Sequence, residues 1–105
     1  MEINKYNNAK IYCIKSANNN EMYIGSTCKK YLSSRLSQHR YDFINWIDGR
    51  RPYCSSFNIL CKDDTYIELL EAVNVNTGAE LRALEKQYIL NNINNVVNKY
   101  YIKNL

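Results

Sequence analysis

Two short runs rich in isoleucine and tyrosine lie near the start of the chain, at residues 10–15 and 21–26. The residues between them, Ser-Ala-Asn-Asn-Asn, are polar and have the composition of a turn. Tyrosine and isoleucine are enriched in strands because their bulky side chains pack well on a pleated surface. The pattern therefore predicts a β-hairpin.

The register of this hairpin follows from the length of its loop. If residues 17–20 form the loop, Tyr12 lies opposite Gly25 and Ile14 lies opposite Tyr23. Paired residues share a face and faces alternate along a strand, so both tyrosines are expected on the same side of the sheet. The glycine opposite Tyr12 is expected to leave room for another group to approach the phenol. Two cross-strand tyrosines that simply cover a core are the ordinary alternative.

Helical patterns follow the hairpin. Leu32 and Leu36 recur at helical spacing, with polar and basic residues on the other faces. The glycine at position 49 suits the left-handed conformation that ends many helices, and the proline at position 52 then breaks the chain. The sequence thus predicts helical segments at residues 29–41, 43–47 and 55–60.

A run rich in tyrosine, isoleucine and valine at residues 65–73 predicts a third strand. The clearest helical pattern of the chain comes next, at residues 79–92, with Thr77 or Asn76 as its candidate N-cap. Residues 93–105 are expected to fold back as a short strand or loop. This order indicates the α+β class, with a small central three-stranded antiparallel sheet flanked by helices.

The chain length of 105 residues allows one hydrophobic core but not two, so residues 1–105 are expected to form a single domain. The sequence shows no signal-peptide pattern and no apolar run that would cross a bilayer, which predicts a soluble intracellular protein without membrane association. Its four cysteines lack C-x-x-C spacing and are expected to be free thiols in a reducing compartment. A zinc site built from Cys54, Cys61 and His39 is the weaker alternative.

The formal net charge is only +4, but the basic residues are concentrated in the first half of the chain. Residues 29–51 contain six basic residues and two aspartates, a balance that suits a polyanionic partner. A solvated helix without a partner is the ordinary alternative. The residues expected to contact nucleic-acid phosphates are Lys29, Lys30, Arg40, Arg50 and Arg51.

Three charged or titratable side chains are candidates for chemistry. Arg35 and His39, the sole histidine, lie four residues apart and therefore share one face of the predicted helix. Glu85 lies beside the apolar stripe of the last helix, where a carboxylate must be paired, hydrated or bound to a cation. Pairing with Arg82 or Lys86 is the commoner outcome for such a glutamate.

Taken in order, these residues resemble the GIY-YIG nuclease superfamily. The resemblance covers residues 9–98 and depends most on a Tyr-Ile-Gly-Ser-Thr run and an Arg-x-x-x-His whose arginine lies ten residues beyond the glycine. One departure is Lys10, which replaces the first glycine of the family pattern and removes backbone freedom there without changing Tyr12. The matching positions are Lys10-Ile11-Tyr12, Tyr23-Ile24-Gly25, Arg35, His39, Glu85 and Asn98.

The resemblance implies catalysis with a divalent cofactor, Mg²⁺ or Mn²⁺. It implies that Tyr12 and Tyr23 lie on adjacent strands and face the scissile phosphate of DNA. It also implies that Arg35 contacts this phosphate and that Glu85 holds one metal ion. His39 matches a histidine found near the catalytic tyrosine in some members.

Asn98 matches, more weakly, a late asparagine that helps to position the family's site, and Asn94 or Asn95 takes this place if the register shifts. Many members also carry an additional DNA-binding domain, for which this sequence leaves no residues. Sequence-specific recognition is therefore not expected. We hypothesise that Tyr12 takes the proton of the attacking water, directly or through a hydrogen bond shared with His39.

The sequence therefore predicts a metal-dependent endonuclease that hydrolyses DNA phosphodiester bonds with structural preference or weak specificity. One alternative is a non-catalytic nucleic-acid-binding module of the same fold. Another is a nuclease that is active only with an accessory protein or targeting subunit. Sixteen asparagines and ten tyrosines indicate coding bias in an AT-rich genome, such as that of a virus or phage.

Overall fold

A three-stranded antiparallel sheet lies at the centre of the computed structural model, which describes residues 5–17, 19–62 and 64–98. This arrangement confirms the α+β class and the central antiparallel sheet flanked by helices. The strands are β1 (Lys10–Ser16), β2 (Met22–Thr27) and β3 (Thr65–Ala72), with β1 between the other two. The helices are α1 (Leu32–Ile47), α2 (Phe57–Leu60) and α3 (Gly78–Asn91), and a 3-10 turn (Lys5–Asn8) precedes β1.

The hairpin has the register expected from a four-residue loop. Tyr12 pairs with Gly25, and Ile14 pairs with Tyr23. Since paired residues share a face, both tyrosines project from one side of the sheet, where their ring centroids are 6.5 Å apart. β3 pairs with the other edge of β1, also in the antiparallel direction.

The predicted division into helices at residues 29–41 and 43–47 is wrong, because α1 is one continuous helix that also begins later than expected. No glycine or proline interrupts this span. Asp42, at the expected break, is held instead by an ion pair with Arg51 at 2.6 Å. Beyond the helix Gly49 has a φ of 76°, the left-handed conformation expected for a helix stop.

The third strand, α2 and α3 lie where the sequence predicts them. Thr77 is the N-cap of α3, and its side-chain oxygen accepts a hydrogen bond from the backbone nitrogen of Glu80 at 3.2 Å. The Glu80 carboxylate in turn accepts a hydrogen bond at 3.1 Å from the backbone nitrogen of Asn76, the residue before the N-cap. None of the helices in the described parts of the chain is both long and apolar enough to cross a membrane.

Two apolar clusters cover the two faces of the sheet. On one face, side chains of β1 and β2 pack against α3, with Ile11, Ile24 and Ile89 completely buried. On the other face, the cluster joins the sheet to α1 and α2, and burial of each large side chain contributes about 1.5–3 kcal/mol. Its buried members are Tyr12, Ile14, Leu36, Phe57, Ile59, Leu60 and Val97. The first motif tyrosine is therefore part of the packed core.

Candidate active site

The hydroxyl of Tyr12 is the meeting point of β1 and α1. It lies 2.7 Å from Nε2 of His39 and accepts a hydrogen bond from Nε of Arg35 at 3.0 Å. Arg35 and His39 are one helical turn apart, so a single face of α1 presents both side chains to the strand. The structure thus brings together three of the residues singled out in the sequence.

The second ring nitrogen of His39 faces Ser56, which immediately precedes α2. Nδ1 of His39 lies 3.0 Å from Oγ of Ser56, whose side chain is completely buried. His39 itself is only 4% exposed. Burial, and secondarily the charge of Arg35, lower the pKa of His39 to about 4 because both disfavour the imidazolium. His39 is therefore neutral at physiological pH.

The low pKa of His39 predicts a loss of stability in acid. The unfolded chain binds this proton near pH 6.5, whereas folded His39 binds it only near pH 4. The contribution to stability is therefore complete above about pH 6.5 and falls as the pH drops towards about 4, by about 3 kcal/mol in total. Urea unfolding followed across this pH range measures the loss. We expect His39→Gln to flatten the profile, and an equally steep profile in the variant would contradict the assignment.

Gly25 provides the space that the Tyr12 hydroxyl occupies. A Cβ at position 25 would lie 2.5 Å from the hydroxyl oxygen of Tyr12 and 2.7 Å from its Cζ. It would also meet the ring of Tyr23 at 3.0 Å. The expectation that this glycine leaves room for a different group is wrong, because the opposite phenol itself fills that room.

Gly25→Ala is expected to displace the Tyr12 hydroxyl from its partners and to lower the free energy of unfolding by about 1–3 kcal/mol, as is typical of overpacking in a core. Gly78→Ala is the matched control. There a Cβ would lie 3.1 Å from Nη1 of Arg82 and from the hydroxyl oxygen of Tyr6, so the overlap is much smaller than at Gly25. Chemical denaturation compares the two variants. An equal loss in both would show that the space above Gly25 is not specifically filled.

Tyr23 lies beside the same histidine. Its ring centroid is 5.3 Å from that of His39, with the two rings edge to face. Tyr23 is half-buried, whereas Tyr12 has no exposed surface. Burial raises the pKa of Tyr12 to about 12, although the charge of Arg35 opposes the rise, and burial also raises the pKa of Tyr23. Both phenols are therefore protonated at neutral pH.

Glu85 approaches β2 from α3, on the face of the sheet opposite to α1. Its Oε1 accepts a hydrogen bond from Oγ of Ser26 at 2.6 Å. Burial raises the pKa of Glu85, while the hydrogen bond from Ser26 and the charge of Arg35 oppose that rise. The carboxylate also raises the pKa of Tyr12, after the larger effect of burial. Glu85, Arg35 and Tyr12 are therefore within electrostatic reach of one another around the edge strand β2.

The surroundings of Glu85 are compatible with a magnesium-like ion. Over the ranges that the structure describes, no three or more His, Cys, Asp or Glu side chains are grouped to hold a metal, so the zinc site at Cys54, Cys61 and His39 is not supported. One carboxylate suits Mg²⁺, which keeps most of its water. Within the same ranges Glu85 has no basic ion-pair partner. A partly buried carboxylate of this kind is stabilised by a cation.

Asn98 is bound to the backbone of β2. Its Oδ1 accepts a hydrogen bond from the nitrogen of Ile24 at 3.0 Å, and its Nδ2 donates to the oxygen of Ile24 at 2.7 Å. Val96, two residues earlier, forms an isolated parallel bridge with Met22. The tail thus extends the sheet edge beside the second motif as far as residue 98, and residues 99–105 lie outside the described residues.

Three of the five basic residues proposed to bind phosphate are exposed just beyond the two ends of α1. Lys29 and Lys30 are exposed just before the helix, at the same end as Arg35. Arg50 is exposed beyond the other end. A helix of 16 residues is about 24 Å long, so these residues form two separate groups.

The other two basic residues already have partners within the protein. Arg51 forms the ion pair with Asp42 and lies 5.8 Å from the ring centroid of Phe57. Arg40 donates to the backbone oxygen of Thr65 at 3.2 Å, which ties α1 to β3. A structural role therefore accounts for part of the positive charge in this segment.

The α+β fold with its antiparallel sheet is the one that the resemblance predicted. A family model described as the GIY-YIG catalytic domain matches residues 8–100, so the chain belongs to this family. The chain is also 35% identical over 94 residues to "Uncharacterized protein 019R" of Invertebrate iridescent virus 6, with 82% of this chain and 32% of that protein covered. The chain thus spans about a third of the length of this relative. No solved structure matches it significantly.

Two serines of the site were not predicted as functional residues. Ser26 lies inside the second motif and carries a recognisable signal, since it follows the motif glycine directly. The contact of Ser56 with His39 has no local signal, because the two residues are 17 positions apart and belong to different elements. The burial and the partner of Ser56 become apparent only when α2 is folded against α1.

Proposed function

We propose that the protein is a metal-dependent endonuclease that hydrolyses DNA phosphodiester bonds and selects its substrate by structure more than by sequence. The observation that supports this most is the convergence of Arg35 and His39 on the hydroxyl of Tyr12. Glu85 adds a carboxylate within electrostatic reach of that hydroxyl. Donors for a phosphate, a proton relay and a cation ligand are the groups that such a hydrolysis needs.

Arg35 is assigned to the phosphate. Its Nε is engaged by Tyr12, so its terminal nitrogens are the donors that reach two non-bridging oxygens together. Glu85 is the residue that would hold Mg²⁺ or Mn²⁺. Such an ion supplies neutralising charge for the phosphate and for the departing 3′ oxygen. Tyr23, which is half-buried at the same side of the sheet, orients the phosphate or the attacking water.

Tyr12 is assigned to the proton of the attacking water. The water oxygen bonds to phosphorus, its proton passes to Tyr12, and the Tyr12 hydrogen passes to Nε2 of His39. The bond to the 3′ oxygen breaks and that oxygen takes a proton from solvent, which yields 5′-phosphate and 3′-hydroxyl ends. The low pKa of His39 means that its charged form is unfavourable in the free protein, and the negative charge of the substrate phosphate would offset that of Arg35. Because Tyr12 has no exposed surface, the site must open when DNA binds.

The exposed basic residues at the two ends of α1 are assigned to the DNA backbone. Lys29 and Lys30 flank the phosphate bound by Arg35, and Arg50 contacts a more distant one. Contacts of this kind weaken binding as the salt concentration rises. The logarithm of the association constant falls by about 0.9 per unit of the logarithm of salt concentration for each duplex phosphate neutralised. They hold the backbone and carry no direct base recognition.

Cleavage assays test this proposal. Purified protein is incubated with duplex, nicked, flapped and four-way DNA of the same base sequence, in Mg²⁺, Mn²⁺ or EDTA, with RNA versions in parallel. We expect cleavage that requires the metal and is fastest at branched DNA. Salt-dependent binding without cleavage in either metal would favour the non-catalytic module. The complete burial of Tyr12 is the observation that favours this alternative, because a buried hydroxyl does not reach substrate. Cleavage that appears only with an added host extract would favour the partner-dependent nuclease.

A further inference from the structure

A chain of hydrogen bonds runs from α1 through the core to the start of α2. Nε of Arg35 donates to the Tyr12 oxygen at 3.0 Å, and that oxygen lies 2.7 Å from Nε2 of His39. Nδ1 of His39 lies 3.0 Å from Oγ of Ser56, which lies 3.5 Å from Sγ of Cys54. The role of Ser56 in this chain depends on the direction in which the hydrogens point.

Arg35 sets that direction. A guanidinium only donates, so the Tyr12 oxygen must be the acceptor and its own hydrogen must point elsewhere. Among the described residues, the acceptor within reach of that hydrogen is Nε2 of His39. No buried side-chain polar atom in the described residues lacks a partner, which agrees with this assignment. Nε2 therefore carries no hydrogen, and His39 carries its hydrogen on Nδ1.

Ser56 completes the chain as an acceptor. The Nδ1 hydrogen of His39 points to Oγ of Ser56, and the Ser56 hydrogen then points towards the weakly accepting sulfur of Cys54. Every donor thus faces the same way, from Arg35 at the edge of the site to Cys54. Without Ser56, the Nδ1 hydrogen of a buried imidazole would lose its partner, which is unfavourable away from water.

We propose that Ser56 is a positioning residue that holds His39 in the Nδ1–H tautomer. In this tautomer Nε2 draws the Tyr12 hydrogen towards α1, so that a lone pair of the phenol oxygen remains for the attacking water. In the opposite tautomer Nε2 becomes a donor, and the Tyr12 hydrogen turns towards that water. The catalytic meaning of this arrangement rests on the proposed nuclease function, whereas the tautomer is a property of the resting protein.

The tautomer is measured directly by nitrogen NMR. His39 is the sole histidine of the sequence, so untagged protein labelled with ¹⁵N-histidine gives the two ring nitrogens of one residue. We expect Nδ1 to show the shift of a protonated nitrogen and Nε2 that of an unprotonated one at neutral pH. A dominant Nε2–H form in the parent protein would overturn the proposal, whether or not the protein cleaves DNA.

Ser56→Ala tests the role of the serine itself, with the neighbouring Ser55→Ala as the control. We expect Ser56→Ala to lower the Nδ1–H fraction and to reduce kcat by about 10–100-fold at unchanged KM, as is usual for residues that orient a site residue. An unchanged tautomer overturns the proposal, including when kcat falls, because the loss would then be structural. If Ser56→Ala does not fold, the spectrum of the parent protein still decides whether His39 carries its hydrogen on Nδ1, and a hydrogen on Nε2 overturns the proposal. A parent protein with the expected tautomer but no nuclease activity would contradict the proposed function alone.

Discussion

Glu85→Gln is expected to reduce the rate of DNA cleavage by about 10³-fold while leaving DNA affinity nearly unchanged. Glutamine keeps the size of the side chain, and its amide oxygen still accepts the hydrogen bond from Ser26. A neutral amide, however, is a much weaker ligand for Mg²⁺ than a carboxylate. Since burial raises the pKa of Glu85, removal of its charge is also expected to leave the protein as stable as before, or more so.

Single-turnover cleavage and fluorescence anisotropy measure the rate and the affinity separately. Glu80→Gln is the matched control, because it is the same substitution on the same helix and its amide oxygen still accepts from the backbone of Asn76. We expect Glu80→Gln to cleave at the parental rate. If Glu85→Gln cleaves DNA at the parental rate, the proposal that Glu85 binds the metal is wrong. A parallel loss of affinity would instead point to a role in binding DNA.

The hairpin was predictable because its register depends on local features. The position of the polar loop determines which residues face each other, and the predicted pairs Tyr12–Gly25 and Ile14–Tyr23 are the ones in the structure. The start of α3 is local in the same sense. Thr77 was one of the two candidate N-caps, and its hydrogen bond with the backbone of Glu80, three residues later, needs no tertiary contact.

Features that depend on distant partners were not predictable from spacing. The ion pair of Asp42 is one of them, because its partner Arg51 lies beyond the end of α1. The role of Gly25 depends on the direction in which the opposite phenol leans, and the pairing of strands alone does not determine this. The central place of β1 in the sheet likewise results from its long-range pairing with β3.

The candidate site depends both on local sequence features and on contacts between residues that are distant in the sequence. The helical spacing of Arg35 and His39 is local, but their common contact with Tyr12 requires α1 to pack across the sheet. Glu85 comes from the opposite layer, and only the resemblance to known nucleases suggested that it joins the same site. The contact between Ser56 and His39 was not predicted, since the two residues are 17 positions apart and meet only through tertiary packing.

Tyr12→Phe is expected to reduce the cleavage rate by about 10²–10³-fold with DNA affinity retained. The substitution removes one oxygen atom and preserves the packing of the ring, so the fold survives. The free energy of unfolding is expected to fall by about 1–2 kcal/mol, because buried His39 loses its donor while half-buried Arg35 turns to water. Single-turnover cleavage at saturating protein separates this chemical effect from weaker binding.

Tyr66→Phe is the control, because it removes the hydroxyl of a tyrosine that is 42% exposed on β3 and takes no part in the site. A full cleavage rate in Tyr12→Phe would exclude Tyr12 as the proton acceptor and direct attention to His39. The comparison with Gly25→Ala is informative, since that variant keeps the Tyr12 hydroxyl but displaces it. If both variants bind DNA and both fail at cleavage, the position of the hydroxyl, and not merely its presence, limits the chemical step.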